Sequence, residues 1–240
     1  MTFTAVVLTL HPEMFPGPLG VSLAGRALAE GRWRLETMAL RQFGVGRHRA
    51  VDDTPAGGGP GMVMRVDVMA RAIDAARAAH PELPVWIPTP RAPRLDQRRV
   101  RALAQGPGVI LLCPRFEGLD ERIFAVRPVE RFALADVVLS GGELPAMALL
   151  DACVRLLPGV MGAPASGAEE SFERGLLEYP QFTRPLEFEG HAIPEVLRSG
   201  NHAAIAAWRR ARAEADTEAW RPDLMAGTGG SRGRAQGERR

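Results

Sequence analysis

Two apolar runs, each followed by a loop rich in glycine and charge, contain the residues best suited to chemistry. The first run, residues 109–113, leads into Pro114-Arg-Phe-Glu-Gly-Leu-Asp-Glu-Arg122, and the second, residues 132–139, leads into Ser140-Gly-Gly-Glu143. Short apolar runs bounded by turn residues are typical of buried strands in a parallel sheet, and ligands bind beyond the carboxyl ends of such strands. The two loops together predict a pocket for a small organic cofactor, whereas either loop alone fits an ordinary strand-to-helix turn equally well.

A third candidate loop, residues 43–67, contains Asp52-Asp-Thr-Pro-Ala-Gly-Gly-Gly-Pro-Gly-Met-Val-Met64. The four glycines and two prolines of residues 52–64 exclude a regular helix or central strand and predict a long loop. It is not a Walker motif, because no Gly-Lys-Ser/Thr follows it. The spacing of its glycines also differs from that of a dinucleotide-binding fingerprint. Long loops in compact domains are usually functional or disordered, and the flanking Asp52, Asp53 and Met64 favour an anchored functional loop.

The elements that must position these loops alternate between strand and helix, which predicts an α/β domain with a parallel sheet. Besides the two apolar runs, the sequence predicts strands at residues 3–10 and 85–87 and helices at residues 19–30, 68–79, 97–104, 143–157 and 201–215. Residues 163–170 are small and polar, as is typical of an interdomain linker. Residues 226–240 are predicted to form a disordered tail.

Composition and charge limit the classes of function that this chain can have. No apolar stretch reaches membrane-spanning length and no basic segment precedes the apolar run after Met1, so we expect a cytoplasmic protein without membrane association. Cys113 and Cys153 lie in apolar segments without metal-ligand spacing, so neither a zinc site nor a structural disulfide is expected. All 30 basic residues are arginine, but the net charge is only +2. Arginine suits phosphate and guanine-edge contacts, yet this charge alone does not identify a nucleic-acid-binding protein.

Several motifs in a fixed order make the sequence specific. They are the glycine loop that ends at Met64, Cys113-Pro-Arg-Phe-Glu-Gly118, Asp136-Val-Val-Leu-Ser-Gly-Gly-Glu143, Arg155-Leu-Leu-Pro-Gly-Val160, Glu170-Ser-Phe172, Phe182-Thr-Arg-Pro185, Ser199-Gly-Asn-His202, Trp208-Arg209 and Arg221-Pro-Asp-Leu224. Together they closely resemble the bacterial tRNA (guanine-N1)-methyltransferases that modify guanosine 37, a family of the SPOUT class. The resemblance extends from about residue 3 to residue 224. Each motif alone is a weak to moderate signal, whereas the ordered set is highly specific.

The resemblance implies a fold and a set of partners. Residues 1–162 would form an α/β domain with a parallel sheet and a deep C-terminal trefoil knot that binds S-adenosylmethionine, an exception to the rule that chains are unknotted. Residues 163–175 would be the interdomain linker, and residues 176–225 a small α-helical domain that binds tRNA. The implied assembly is a homodimer with each active site at the subunit interface. Methyl transfer in the family is associated with Mg²⁺, although the sequence shows no independent set of metal ligands.

The resemblance also assigns binding residues. The cofactor-binding candidates are Pro90, Pro114, Phe116, Glu117, Gly118, Leu134, Ala135, Asp136, Val137, Val138, Leu139, Gly141, Gly142 and Pro145. The candidate tRNA contacts are Asp52, Gly58, Gly59, Ser199, Asn201 and His202. Glu117 is the candidate acidic neighbour of the cofactor's sulfonium, with a surface turn acid as the alternative interpretation.

Two residues are assigned to the chemistry. Guanine N1 carries a proton and is a poor nucleophile until that proton leaves. Glu170 stands where the family has an aspartate, and it is the candidate general base, a role worth ~10²–10⁴-fold in rate. Arg155 is the candidate that stabilises the negative charge spreading to O6 of the guanine. The alternatives are a solvated linker acid for Glu170 and an arginine that caps helix carbonyls for Arg155.

Departures from the family pattern leave other functions open. Pro114 stands where glycine is usual and removes a backbone donor, Phe116 stands where tyrosine is usual, and Ala135 replaces a glycine. The substitutions at positions 114, 116 and 170 fit a non-catalytic RNA-binding protein of the same fold, although the retention of Arg155 and of an acid at position 170 argues against it. A SPOUT enzyme that acts on ribose 2′-hydroxyls is a third interpretation, which the motifs of the second domain do not suit.

Overall fold

The computed structural model of the protein describes residues 2–161, 171–172 and 175–226. The chain divides into two compact units, Met1–Gly162 and Ala163–Arg240. The strands of the first unit are β1 (Phe3–Thr9), β2 (Trp33–Ala39), β3 (Asp52–Asp53), β4 (Val63–Met64), β5 (Val85–Pro88), β6 (Gly108–Leu112) and β7 (Glu130–Phe132). Its α-helices are α1 (Ser22–Ala29), α2 (Val66–Ala79), α3 (Gln97–Ala104), α4 (Ile123–Val126) and α5 (Glu143–Val154).

A five-stranded sheet in the order β2-β1-β6-β5-β7, parallel throughout, forms the centre of the first unit. The predicted α/β class with a parallel sheet is therefore confirmed. Alternate residues of β1 pack on opposite faces of the sheet. Ala5 and Val7 face a core that includes α1, α3 and α5, and Val6 and Leu8 face a core that includes α2. The strand order reverses between β1 and β6, which is where open α/β sheets bind ligands.

The predicted strand over residues 132–139 is wrong. β7 ends at Phe132, opposite Pro88 at the end of β5. Beyond β5 the chain has two prolines within five residues, and prolines cannot donate the backbone hydrogen bonds that would extend the pairing. Residues 134–139 consequently form an irregular loop, in which the side chain of Val138 is 87% exposed. Most of this apolar run therefore lies at the surface and not in the sheet.

Other differences concern the ends of elements and one missed strand. The edge strand β2 was not predicted, because its exposed Arg34 and Glu36 interrupt the apolar pattern of a buried strand. Helix α5 ends at Val154, three residues earlier than predicted, and α1 begins at Ser22. The glycine loop is confirmed over residues 54–62, and the short antiparallel strands β3 and β4 close its base.

The two cysteines belong to the core of the first unit. Cys113 and Cys153 are both free and fully buried. Burial raises the pKa of the Cys113 thiol well above its usual value and raises that of Cys153 to about 12. Both thiols therefore stay protonated at neutral pH.

The second unit contains a two-stranded antiparallel sheet and three helices among its described residues. These elements are β8 (Glu187–Phe188), β9 (His191–Ala192), α6 (Glu195–Arg198), α7 (His202–Trp220) and α8 (Pro222–Ala226). The side chain of Asn201 accepts a hydrogen bond from the backbone of Ala204 at 3.1 Å and so caps α7. This helix runs five residues beyond the predicted end. No helix in the described ranges is long and apolar enough to cross a membrane.

Candidate cofactor pocket

A cavity that could bind a ligand lies beyond the carboxyl ends of β5, β6 and β7. Its volume is about 1280 Å³, which exceeds the roughly 300–1,000 Å³ of typical small-molecule sites. The loops that follow these three strands line it, together with residues 63–67, which run from β4 into the start of α2. The cavity has room for a nucleotide-sized cofactor together with a second group.

The structure brings the candidate cofactor-binding residues together around this one cavity. Those that line it are Pro90, Pro114, Phe116, Glu117, Gly118, Leu134, Ala135, Val137, Val138, Leu139, Gly141, Gly142 and Pro145. Asp136 is not among the lining residues, and its carboxylate accepts a hydrogen bond of 2.9 Å from Nε of Arg94. Three separate segments of the chain thus form one surface.

The loops after β6 and β7 approach each other at a glycine. The backbone N–H of Gly142 donates to the carbonyl of Pro114 at 2.7 Å. A Cβ atom at position 142 would lie 2.6 Å from Cδ of Pro114, so a side chain there would force the loops apart. Pro114 has no backbone N–H, and its carbonyl joins the two loops by accepting this hydrogen bond.

A buried acid that is not among the predicted site residues lies behind these two loops. Glu143, the first residue of α5, is 1% exposed and accepts a hydrogen bond from the hydroxyl of Thr9 at 2.7 Å. Its other oxygen lies 2.9 Å from Nε of Arg115 in an ion pair, although the N–H does not point along that line. Arg115 also donates to the carbonyl of Ser140 at 3.3 Å. These contacts thus connect three separate chain segments behind the pocket.

The glycine loop packs against Glu117. The backbone of Glu117 donates to the carbonyl of Met62 at 3.0 Å, and Gly61 lies directly against the glutamate side chain. A Cβ atom at Gly61 would fall 2.5 Å from Cγ of Glu117. Gly61 has φ of +82° and Phe116 has φ of +60°, so both adopt the left-handed conformation that favours glycine. A phenylalanine held in this conformation stores strain of the kind found at ligand sites.

Ion pairs surround the mouth of the cavity. A hydrogen bond from Arg65 lowers the pKa of Asp67, and a hydrogen bond from Arg122 lowers the pKa of Asp120. Both carboxylates are therefore ionised at neutral pH and offset the charge of their arginines. Arg91 lies 3.4 Å from a carboxylate oxygen of Glu121. The rim is thus highly charged but locally balanced.

Several candidate residues of the glycine loop lie outside the cavity lining. Asp52 pairs with Met64 in the β3–β4 sheet, and its neighbour Asp53 lines the cavity instead. Gly58 and Gly59 are exposed, with φ of +81° and +121°, in the part of the loop farthest from its base. Their positive φ angles explain why glycines occupy the turn.

The remaining candidates lie elsewhere in the chain. Arg155 is half-buried at the end of α5 and is not one of the residues that line the cavity of this single chain. Ser199 donates to the carbonyl of Val196 at 2.8 Å, Asn201 caps α7, and His202 begins that helix, all in the second unit. Glu170 and residues 163–169 of the linker fall outside the described residues, as do residues 227–240 of the tail. Within the described part of the chain, no group of three or more His, Cys, Asp or Glu residues could hold a metal ion.

Comparison with known proteins identifies the family. Residues 1–227 match the family described as tRNA (Guanine-1)-methyltransferase TrmD. The chain belongs to this family. A TrmD relative from Novosphingobium aromaticivorans, named tRNA (guanine-N(1)-)-methyltransferase, is 67% identical over 93% of this chain and 91% of its own length. Relatives of the same name from Rhizorhabdus wittichii (66% identical, covering 93% and 91%) and Zymomonas mobilis (62% identical, covering 92% and 89%) agree with it. The TrmD family predicted from the sequence motifs is therefore confirmed.

Proposed function

We propose that this protein transfers a methyl group from S-adenosylmethionine to N1 of guanosine 37 in tRNA, next to the anticodon. Membership of the tRNA (Guanine-1)-methyltransferase family across residues 1–227 supports the reaction and the substrate class. The observation that carries the assignment of the site is structural. Loops that follow three neighbouring strands, β6, β5 and β7, surround one cavity at the carboxyl edge of the parallel sheet.

The residues of the cavity fit S-adenosylmethionine, which when bound supplies an electrophilic methyl group on its sulfonium. Residues 134–139 make no backbone–backbone hydrogen bond within the described chain, so their N–H and C=O groups can hold an adenine and an amino-acid end. Apolar Val137, Val138 and Leu139 line the same wall and can pack on these groups. Glu117, held in place by Gly61, offers a carboxylate to the positive sulfur.

In this proposal the chain's own residues handle the proton and the charge on the guanine. Glu170 takes the proton from N1, which makes N1 nucleophilic. Arg155 donates hydrogen bonds to O6 as negative charge spreads there. Both roles require the side chains of Glu170 and Arg155 to reach the same bound guanine.

Arg155 does not line the cavity of its own chain, and an assembly of two chains would account for this. We place the active site at the interface of a homodimer, where the exposed apolar Val138 and Leu144, 87% and 51% accessible, would be covered. The proposal includes the deep trefoil knot within residues 1–162, a linker at residues 163–175 and a helical tRNA-binding domain at residues 176–225. Ser199, Asn201 and His202 would contact tRNA from that domain in the cytoplasm.

The test uses labelled S-adenosylmethionine and unmodified tRNA, with a transcript carrying adenosine at position 37 as the control. We expect label in 1-methylguanosine after nuclease digestion, and no label in the control transcript. Label on a ribose would favour a 2′-hydroxyl methyltransferase. Binding of tRNA without transfer would favour the non-catalytic RNA-binding protein. Adding a chelator, followed by Mg²⁺, tests whether the rate depends on the ion.

A further inference from the structure

A short hairpin with a basic tip lies in the first part of the candidate loop at residues 43–67, outside the residues that line the pocket. Val45 and Ala50 exchange two backbone hydrogen bonds of 2.9 Å, and Arg49 donates to the carbonyl of Gly46 at 3.2 Å. Gly46 and Arg49 have φ of +70° and +49°, which closes the tight turn. The tip Gly46-Arg47-His48-Arg49 is exposed throughout. We refer to residues 45–50 as the basic hairpin.

The arginines of the basic hairpin have no carboxylate partner in the described part of the chain. Arg47, Arg49 and the nearby Arg41 are exposed and form no ion pair with any described residue. The arginines around the cavity, by contrast, are paired: Arg65 with Asp67, Arg115 with Glu143 and Arg122 with Asp120. Three uncompensated guanidinium groups within nine residues make this a local positive surface.

The acids closest to the basic hairpin in the chain, Asp52, Asp53 and Glu36, form no ion pair with its arginines. A carboxylate oxygen of Glu36 lies 3.0 Å from Nε2 of His80, and one of Asp53 lies 3.1 Å from the guanidinium of Arg65. An internal partner would remove the positive charge from this surface, and the described residues offer none. The surface is therefore free to bind an anion from outside the chain.

The basic hairpin is anchored next to the pocket. Arg71 on α2 donates to the carbonyl of Phe43 at 2.8 Å, and the backbone of Arg65 donates to Val51 at 2.9 Å. Arg49 precedes Asp53, which lines the cavity, by four residues, a span of at most ~14 Å. Anions on either side of a base bound in the cavity would lie within reach of these long side chains.

We propose that the basic hairpin binds the phosphate backbone of tRNA beside the nucleotide that enters the pocket. Arginine favours this ligand because its planar fork donates two parallel hydrogen bonds to phosphate oxygens. The inference rests on the proposed function, because it takes tRNA as the partner. Contacts to the backbone position the RNA and carry no sequence information of their own.

The experiment compares the full-length wild type with the double variant Arg47→Gln/Arg49→Gln. Glutamine keeps much of the length and the polarity of arginine but removes the charge. The control, Arg26→Gln/Arg98→Gln, makes the same change in net charge on α1 and α3, which pack on the opposite face of the sheet from α2. The dissociation constant of tRNA is measured between 50 and 200 mM salt, with cofactor binding measured by calorimetry.

Each lost phosphate contact should reduce the slope of log K against log salt by ~0.7–0.9. We therefore expect a reduction of ~1.4–1.8 in the hairpin variant and little change in the control. Cofactor affinity and turnover at saturating tRNA should stay within twofold of wild type in both. An unchanged slope in the hairpin variant, or an equal reduction in the control, overturns the inference. A wild type that binds tRNA without methylating it contradicts the proposed function instead, and the slopes still decide the role of the hairpin.

Discussion

At the scale of single residues, Glu143 shows how a charge can be kept inside the protein. An isolated buried carboxylate is costly, and the structure offsets that cost with the hydroxyl of Thr9, the guanidinium of Arg115 and a place in the first turn of α5. The acid is not at the surface of the cavity. It fixes the arginine that supports the Ser140 carbonyl, and through it the turn that lines the cavity.

Replacing Glu143 with glutamine should destabilise the fold. The amide keeps the size of the side chain and a hydrogen bond to Thr9, but it leaves Arg115 without its counter-charge. Breaking a buried ion pair costs ~3–5 kcal/mol, and we expect a loss of about 2–4 kcal/mol in the free energy of unfolding because Arg115 is partly exposed. Urea denaturation measures this loss. Thr9→Val should cost less, about 1–3 kcal/mol, and a fully stable Glu143→Gln variant would contradict the role of the pair.

Replacing Glu170 with glutamine tests the proposed base. The amide cannot accept the N1 proton, so the rate should fall by roughly 10²-fold or more with little change in cofactor binding. Single-turnover methylation of tRNA gives the rate, and Glu170→Asp, which restores the family's usual acid, should keep substantial activity. The wild-type rate should rise with pH as the carboxylate ionises, and the glutamine variant should lose that dependence. A wild-type rate for Glu170→Gln would turn attention to Glu169.

Replacing Arg155 with alanine should lower kcat strongly and leave cofactor affinity within a few-fold. The charge on O6 develops mainly in the transition state, so the loss of the guanidinium affects turnover more than ground-state binding. Single-turnover kinetics and calorimetry separate the two quantities. Normal methyl transfer by this variant would leave Arg155 as an arginine at the end of a helix.

At the scale of elements, an ion pair joins α2 to the residue that follows α4. Arg127 donates two hydrogen bonds of 2.6 Å to the carboxylate of Asp74, and these bonds lower the pKa of that group. Both side chains are partly exposed, at 30% and 52%. Such a pair makes a modest contribution to stability that depends on pH.

Asp74→Asn should therefore reduce stability by about 0.2–1 kcal/mol at pH 7. Because the folded-state pKa is lowered, the stabilisation is complete above the unfolded-state value of about 3.9 and is lost as the pH falls through the lower folded-state value. The difference between wild type and variant should disappear in that acidic range. Denaturation curves recorded from pH 7 into the acidic range measure it, and a difference that does not shrink as the pH falls below about 3.9 would exclude the carboxylate as its source.

The elements also show which parts of the structure the sequence could predict. A helix predicted near residues 97–104 is confirmed as α3, Gln97–Ala104, and the structure shows that Asp96 caps it. The strand predicted at residues 132–139 was wrong, because an apolar surface loop and a buried strand can have the same composition. Pairing with β5, not the run itself, decides where β7 ends.

The candidate site was predictable only in part. The residues that line the cavity came from motifs that resemble a family, and no periodicity would have grouped them. The contact between Thr9 and Glu143 joins positions 134 residues apart and has no local signal. Only Glu143 offered a clue, as an acid directly after the Gly141-Gly142 turn at the start of a helix.

At the scale of the whole molecule, the division into Met1–Gly162 and Ala163–Arg240 separates two proposed tasks. The cavity lies entirely in the first unit, whereas Glu170 and three of the candidate tRNA contacts follow it in the chain. The parallel sheet and both hydrophobic cores also belong to the first unit. Cofactor binding and methyl transfer to tRNA should therefore be separable.

A fragment of residues 1–162 should bind S-adenosylmethionine or its demethylated product and should not methylate tRNA. It keeps every residue that lines the cavity and lacks the proposed base. Calorimetry measures the binding, and a tRNA methylation assay measures the activity. The absence of binding by a folded, dimeric fragment would contradict the assignment of the cofactor to this unit.

The burial of Cys113 and Cys153 makes the native chain well suited to spectroscopy. Thiol-directed dyes react with thiolates, and these two sulfurs are both enclosed and protonated at neutral pH. A single cysteine introduced at the exposed His48 would then take up a fluorophore selectively, with the native sequence otherwise intact. Its emission would report in real time when an RNA strand reaches the basic hairpin.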